Sequence, residues 1–157
     1  MATFDVRDIF TIAMKIEENG KAFYAKMAQQ DNQEIRGLFA FLAEEEGRHY
    51  HTFERMREKL SERPTVESAP TEYFDYLEAF VDNSIFRQEL SEQEQAALQT
   101  FPAAIEYSIG RETDSILYYH EIKGFVPPSE AEIIEQIIRE ERRHYLRLTE
   151  LAEQLAA

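Results

Sequence analysis

Cysteine and tryptophan are absent from this 157-residue chain, and glycine and proline occur only five times each. Without cysteine there is no disulfide framework, no thiolate-held zinc or cluster and no cysteine nucleophile, so any bound metal must sit on oxygen and imidazole. Base is also scarce. Against 31 Asp and Glu stand 17 Lys and Arg, a formal net charge of −14, and no dense basic patch forms along the chain. That balance excludes nucleic acid and an anionic membrane surface as partners. No apolar run approaches the roughly 18 to 20 residues of a spanning helix, and residues 1–10 lack a basic region followed by an apolar stretch, so we expect a cytoplasmic protein.

What is present suits helices. Hydrophobic residues make up 43% of the chain and charged residues 31%, and this length buries a substantial core without staples, so a single domain over 1–157 is expected. Apolar groups at Ile9, Ala13, Ile16, Gly20, Phe23, Tyr24 and Met27 recur at three-and-four spacing, which predicts a first helix over about 5–30. Asp31-Asn32-Gln33-Glu34 reads as a capping box. Ile35, Leu38, Phe39, Leu42, Phe53, Met56 and Leu60 continue the period in a second helix over about 32–61.

Pro64 and Pro70 interrupt the next stretch, which reads as a linker over 61–70 followed by a short aromatic helix over 71–83. Ser91 to Glu94 is a further capping box. Pro102 can begin or kink a third long helix with an inner face of Ile105, Ile109, Ile116 and Tyr119, ended near Gly124 as a left-handed terminator. Pro127-Pro128 then blocks helix until Ser129, with Glu132 in the box position, caps a fourth lined by Ile134, Ile137, Leu148 and Leu151. Hairpins over about 5–60 and 102–155, joined by a crossover over 61–101, predict an all-α, single-crossover four-helix bundle.

Each apolar face is interrupted by an ionisable residue at a position the period assigns to the core. Glu17 falls between Ala13 and Gly20, and Glu112 between Ile109 and Ile116. Glu46 and His49 fall between Leu42 and Phe53, and Glu141 and His144 between Ile137 and Leu148. Burying a lone carboxylate costs several kcal/mol or forces it to take up a proton, so a cation must sit among these groups. Hard oxygen with imidazole suits iron or manganese, and residues three apart on a helix share a face.

Register supports the assignment. From 17 to 46 and from 112 to 141 the separation is the same, 29 residues, so each pair climbs and descends about equally around its turn at ~1.5 Å per residue. A shift of 95 residues superposes Glu17 on Glu112, Tyr24 on Tyr119, Glu45 on Glu140, Glu46 on Glu141, Arg48 on Arg143, His49 on His144 and Tyr50 on Tyr145. The chain carries an internal repeat. One terminal Glu and one His for each of two metals, with Glu46 and Glu141 bridging, follows as the expected ligand scheme.

Glu-x-x-Gly-x-x-Phe-Tyr at 17–24, Glu-x-x-Ser-x-x-Tyr-Tyr at 112–119, and Glu-x-x-His at 46 and 141 resemble the rubrerythrin branch of the ferritin-like di-iron carboxylate proteins. The resemblance covers both hairpins. It implies two iron ions, with manganese or a mixed pair fitting the same donors, that react with peroxide or oxygen, and a homodimer. It also implies that Tyr24 and Tyr119 donate to ligand carboxylates and orient them. Two departures stand out. Peroxide-reducing members have a further Glu where this chain has Ser115, and they carry a cysteine-ligated rubredoxin module that is missing here, so electrons must come from an external donor. The same residues leave open a ferroxidase role, with ferrous ion as substrate, or a helical module that binds metal for stability alone.

Neighbouring residues have plainer readings. His51 and His120 lie off the ligand faces and are expected at the solvent side. Glu18, Glu44, Glu45 and Glu140 border the ligands but belong to a solvated or salt-bridged face, with Arg48 and Arg143 near. Tyr73, Phe74, Tyr76, Phe80 and Phe86 in the crossover read as packing in the core or at a dimer contact.

Overall fold

A computed structural model describes residues 6–29, 32–61, 71–85, 90 and 92–156. Among these there is no strand; the elements are α1 (Val6–Met27), α2 (Gln33–Ser61), α3 (Thr71–Ser84), α4 (Glu92–Ala97), α5 (Phe101–Lys123) and α6 (Pro128–Ala156). They fall into two compact units, residues 1–86 and 87–157. Residues 62–70 of the linker expected at 61–70, the cap residues Asp31 and Ser91, and Phe86 lie outside the described residues.

In the first unit α1 packs along α2, and α3 touches α1. The pair is antiparallel: Tyr24 meets Phe39 at 5.8 Å between ring centroids, Phe10 meets Phe53 at 6.2 Å, and Arg57 donates to the Thr11 hydroxyl. Asn32 caps α2, its side-chain oxygen accepting from the Ile35 amide at 3.2 Å, which satisfies one of the amides a helix start leaves exposed. All seven apolar residues expected on the inner face of α2 are buried. In α3 the buried groups are Leu77 and Val81, with Ile85 just beyond its end. The aromatics expected to pack there do so only partly: Tyr73, Phe74 and Phe80 are half-buried and Tyr76 is exposed, stacking on Tyr73 at 6.0 Å. The aliphatic positions 77, 81 and 85 share one stripe at helical spacing, and that stripe takes the core.

In the second unit α5 packs against α6, again antiparallel: the Lys123 amine pairs with Glu135 at 2.7 Å and Arg142 reaches His120 at 3.4 Å. Thr100 caps α5, accepting from the Ala103 amide, with Pro102 in the first turn where its missing N–H costs nothing. The buried stripe of α5 differs from the expected one. It runs through Ile105, Ser108, Glu112, Ser115, Tyr119 and Ile122, while Ile109 and Ile116 are half-buried at its margins. Both serines are tolerated because each hydroxyl donates to a carbonyl one turn back, Ser108 to Ala104 at 2.8 Å and Ser115 to Arg111 at 3.0 Å.

Two helix ends also depart from expectation. Gly124 is right-handed, with φ −72° and ψ −11°. α5 ends in tight turns, Gly124 N–H to Glu121 O at 3.3 Å and Phe125 N–H to Ile122 O at 3.0 Å, so the left-handed freedom of glycine is not used. And α6 begins at Pro128, one residue before the expected cap Ser129, because the Pro127 carbonyl already accepts from the Ala131 amide at 2.9 Å and proline fits a first helical position. Ser129 instead donates to Glu130.

Replacing Gly124 by Ala should be neutral or stabilising by up to about 1 kcal/mol, because the backbone is already in a region alanine prefers. The added methyl would meet only the Glu121 carbonyl, at 3.7 Å. Urea denaturation checks this; destabilisation of more than ~1 kcal/mol would mean the glycine is needed in a left-handed cap.

Candidate metal centre

All six expected ligands lie inside. Glu17, His49 and Glu112 are 0% exposed, Glu141 1%, His144 2% and Glu46 3%. They stand near the middle of their helices, held by the apolar residues a turn above and below: Ala13 and Ile16 beside Glu17, Leu42 and Phe53 around Glu46 and His49, Ile137 and Leu148 around Glu141 and His144.

In the first unit one donor atom each from Glu17, Glu46 and His49 lies within 4.8 Å of the others, and His49 Nδ1 stands 3.6 Å from Glu17 Oε2. The second unit repeats the arrangement. Donor atoms of Glu112, Glu141 and His144 lie within 4.8 Å of one another, with His144 Nδ1 3.7 Å from Glu112 Oε1 and 3.6 Å from Glu141 Oε2. At metal–ligand distances of about 2.1 Å, two donors on one ion stand roughly 3.0 Å apart at a right angle and about 3.6 Å apart at 120°. The observed spacings fit donors that share a cation. In both triads the nitrogen nearest the carboxylates is Nδ1.

Protons respond to the same crowding. Burial, then the charge and hydrogen bond of Glu141, hold Glu112 well above the ordinary carboxylate range, with His144 partly opposing. For His144 burial works against the charge, but hydrogen bonds to Glu112 and Glu141 and their negative charge outweigh it and push the imidazole up to about 10. Two acids around one imidazole thus gather positive charge, as a proton where no metal is present.

The surroundings mostly follow the expected division. His51 and His120 are exposed, as are Glu18, Glu44 and Arg143. Glu45 is half-buried and pairs with Arg48, whose Nε donates at 2.8 Å. Glu140 departs from its expected solvated face: it is buried, and accepts from Gln136 at 3.3 Å. Its place three residues after Ile137 and four before His144 puts it on the core stripe. Tyr24 and Tyr119 are fully buried, each set edge-on to its neighbour, Phe23–Tyr24 at 5.7 Å and Tyr118–Tyr119 at 5.9 Å, both at 67°. The repeat thus extends to aromatic geometry. Sequence reasoning missed Ser108 and the buried Glu130. Ser108 was readable as the position four before Glu112 on the ligand stripe, whereas nothing in the spacing marks Glu130, which lies in the first turn of α6 where an acid complements the helix dipole.

Glu112 and His144 both hold protons in the folded chain beyond their ordinary values of 4.5 and 6.5. Metal-free protein is therefore best stabilised by these groups at low pH. That contribution falls as pH rises above 4.5 for Glu112, and between 6.5 and about 10 for His144. A bound divalent ion replaces those protons, so the rise in melting temperature given by ferrous or manganous ion should be larger at about pH 8 than at about pH 6. Thermal scans with and without chelator measure it; an equal or smaller rise at the higher pH contradicts the site.

Comparison with known proteins agrees with the geometry. No helix among the described residues is long and apolar enough to cross a membrane, and none of the curated proteins matches this chain. A protein of Thermotoga maritima, described from its crystal structure as a putative ferritin-like diiron-carboxylate protein, is similar with 25% identity and a TM-score of 0.74, covering 98% of this chain and 97% of that one. A hypothetical protein of Pyrococcus furiosus shares the fold at 16% identity, with a TM-score of 0.70 over 98% of this chain and 91% of its own. The fold class is accordingly all-α and ferritin-like, as the repeat and helix pattern led us to expect. The rubrerythrin family model matches residues 8–152, and with that span the chain belongs to the rubrerythrin family.

Proposed function

We propose that this protein holds two iron ions within one domain and uses them to reduce peroxide or oxygen, drawing electrons from an external donor. In this reading Glu17 and His49 serve one ion, Glu112 and His144 the other, and Glu46 and Glu141 are shared. The observation that carries it is that two separate hairpins each bring two carboxylates and an imidazole Nδ1 together in a buried site. A surface acidic cluster would do none of this.

When bound, a ferrous pair supplies two electrons, the number that converts one peroxide and two protons to two waters. The chain's own residues set the conditions. Four carboxylates offset the charge of two divalent ions, and the two imidazoles add neutral donors. Each carboxylate has two oxygens, so Glu46 and Glu141 would each have a second donor to offer beyond the one that completes its own triad. Apolar neighbours such as Ile16, Leu42, Phe53, Ile137 and Leu148, all buried, keep bulk water out. Ser115 stands where peroxide-reducing members place a fifth acid, and its hydroxyl is committed to the Arg111 carbonyl. The six-residue set is thus what this chain offers.

Protein purified without added metal should contain about two irons per chain. After anaerobic loading with ferrous ion, stopped-flow mixing with hydrogen peroxide or oxygen should oxidise the wild type about tenfold or more faster than a Glu46→Ala, His49→Ala variant. Equal rates with both oxidants refute the proposal.

A further inference from the structure

The first hairpin carries an open cleft that the metal chemistry does not use. It lies between α1 and α2, has a volume of about 500 Å³, and is lined by Glu18, Lys21, Ala22, Ala25, Gly47 and Tyr50, with His51 at its edge. A space of that size takes a molecule of one or two fused rings. Glu18, Gly47 and Tyr50 directly follow Glu17, Glu46 and His49 in the chain. Whatever enters therefore lies against the backbone that carries the first triad.

Gly47 is buried in the middle of a 29-residue helix, where glycine costs stability relative to alanine. The space a side chain would take is filled by Lys21, whose amine lies 3.2 Å, and whose Cδ and Cε lie 3.5 Å, from the position of an added Cβ. The lysine thus lies flat across the glycine, and its charge is held within the cleft instead of reaching out into water. Among the described residues that amine makes no ion pair.

The small residues are not a requirement of packing two such helices. Shifted by 95 residues, Ala22 becomes Leu117, Ala25 becomes His120 and Gly47 becomes Arg142, and there His120 and Arg142 meet across α5 and α6 at 3.4 Å. Charge also sets the first hairpin apart. Of the six helices α1 alone has more base than acid, with Arg7, Lys15, Lys21 and Lys26 against Asp8, Glu17 and Glu18, and Glu17 is buried. On a chain of net charge −14, this is the helix that best tolerates an anion.

We propose that the α1–α2 cleft binds a small planar aromatic anion, in the simplest case a carboxylate, with its charged group on the Lys21 amine and its ring over Ala22 and Ala25. In the antiparallel register that sets Lys21 on Gly47, Glu18 falls at the end shared with Tyr50 and His51, and the two alanines line the opposite end. The anion can therefore meet the amine while its ring points away from the acid. An uncharged ring gains only the apolar contact, and a cation meets the lysine as a like charge.

Calorimetric titration of the full chain as purified, at low salt, tests this with three probes of one shape: naphthoate, the uncharged naphthamide and the cationic naphthylmethylammonium. Naphthoate should bind at one site with a Kd between about 0.1 and 1 mM, about tenfold or more tighter than either of the others. Lys21→Gln should bring naphthoate to the level of naphthamide and leave naphthamide unchanged. Ala25→Leu, which fills the alanine end, should weaken both. Each of these positions is exposed, so circular dichroism melts should match wild type. The proposal is overturned if naphthoate shows no single-site binding up to about 10 mM, if the amide or the cation binds as tightly, or if either variant binds naphthoate as wild type does.

Discussion

A carboxylate removed from water needs compensating charge close at hand, and among the described residues this chain buries six of them, four in the two triads that each include an imidazole. Most of the architecture can be understood as a response to that requirement. Long helices supply a rigid backbone whose hydrogen bonds are satisfied internally, so the polar demand is confined to the side chains. Apolar residues a turn on either side then hold those side chains in place. Without a metal the load is carried by protons, as the raised affinities of Glu112 and His144 indicate. With a metal the same atoms would become ligands, and the conflict between burial and charge would become binding energy.

Hairpin register is the device that gathers the donors. A Glu a fixed distance before a tight turn, and a Glu-x-x-His a fixed distance after it, arrive at the same height when the helices run antiparallel. The ring contacts Tyr24–Phe39 and Phe10–Phe53 lock that register above and below the first triad. In the second hairpin Lys123–Glu135 and Arg142–His120 fix it with polar contacts. One hairpin is therefore aligned by its core and the other partly by its surface.

The long helices and the buried place of all six candidate ligands could be read from the sequence because both rest on periodicity, and an acid at a core position is conspicuous against an apolar stripe. A cap at the start of α2 was legible as a box over 31–34, but the side chain that accepts is that of Asn32, one residue beyond the box's first position. The errors arose where a residue's usual role was assumed. Gly124 was assigned the left-handed conformation it permits, but a tight final turn had already satisfied the helix end. Pro128 reads as a barrier although a first helical position accepts proline. The face of α5 was misjudged because its core stripe holds Ser108, Glu112 and Ser115, so hydrophobicity no longer marks the inside. Glu140 reads as part of a solvated or salt-bridged face, yet its spacing from Ile137 and His144 places it inward.

The same duplication that matches the ligands leaves their immediate company unmatched. Where α1 sets Ala13, Ile16, Gly20 and Phe23 about Glu17, α5 sets Ser108, Arg111, Ser115 and Tyr118 about Glu112. The second half thus has two hydroxyls, given to the Ala104 and Arg111 carbonyls, and a guanidinium paired with Asp114 at positions where the first has hydrocarbon or glycine. Identical donors in unlike media do not hold electrons equally well. A cation held by one hairpin would therefore not be an exact copy of a cation held by the other.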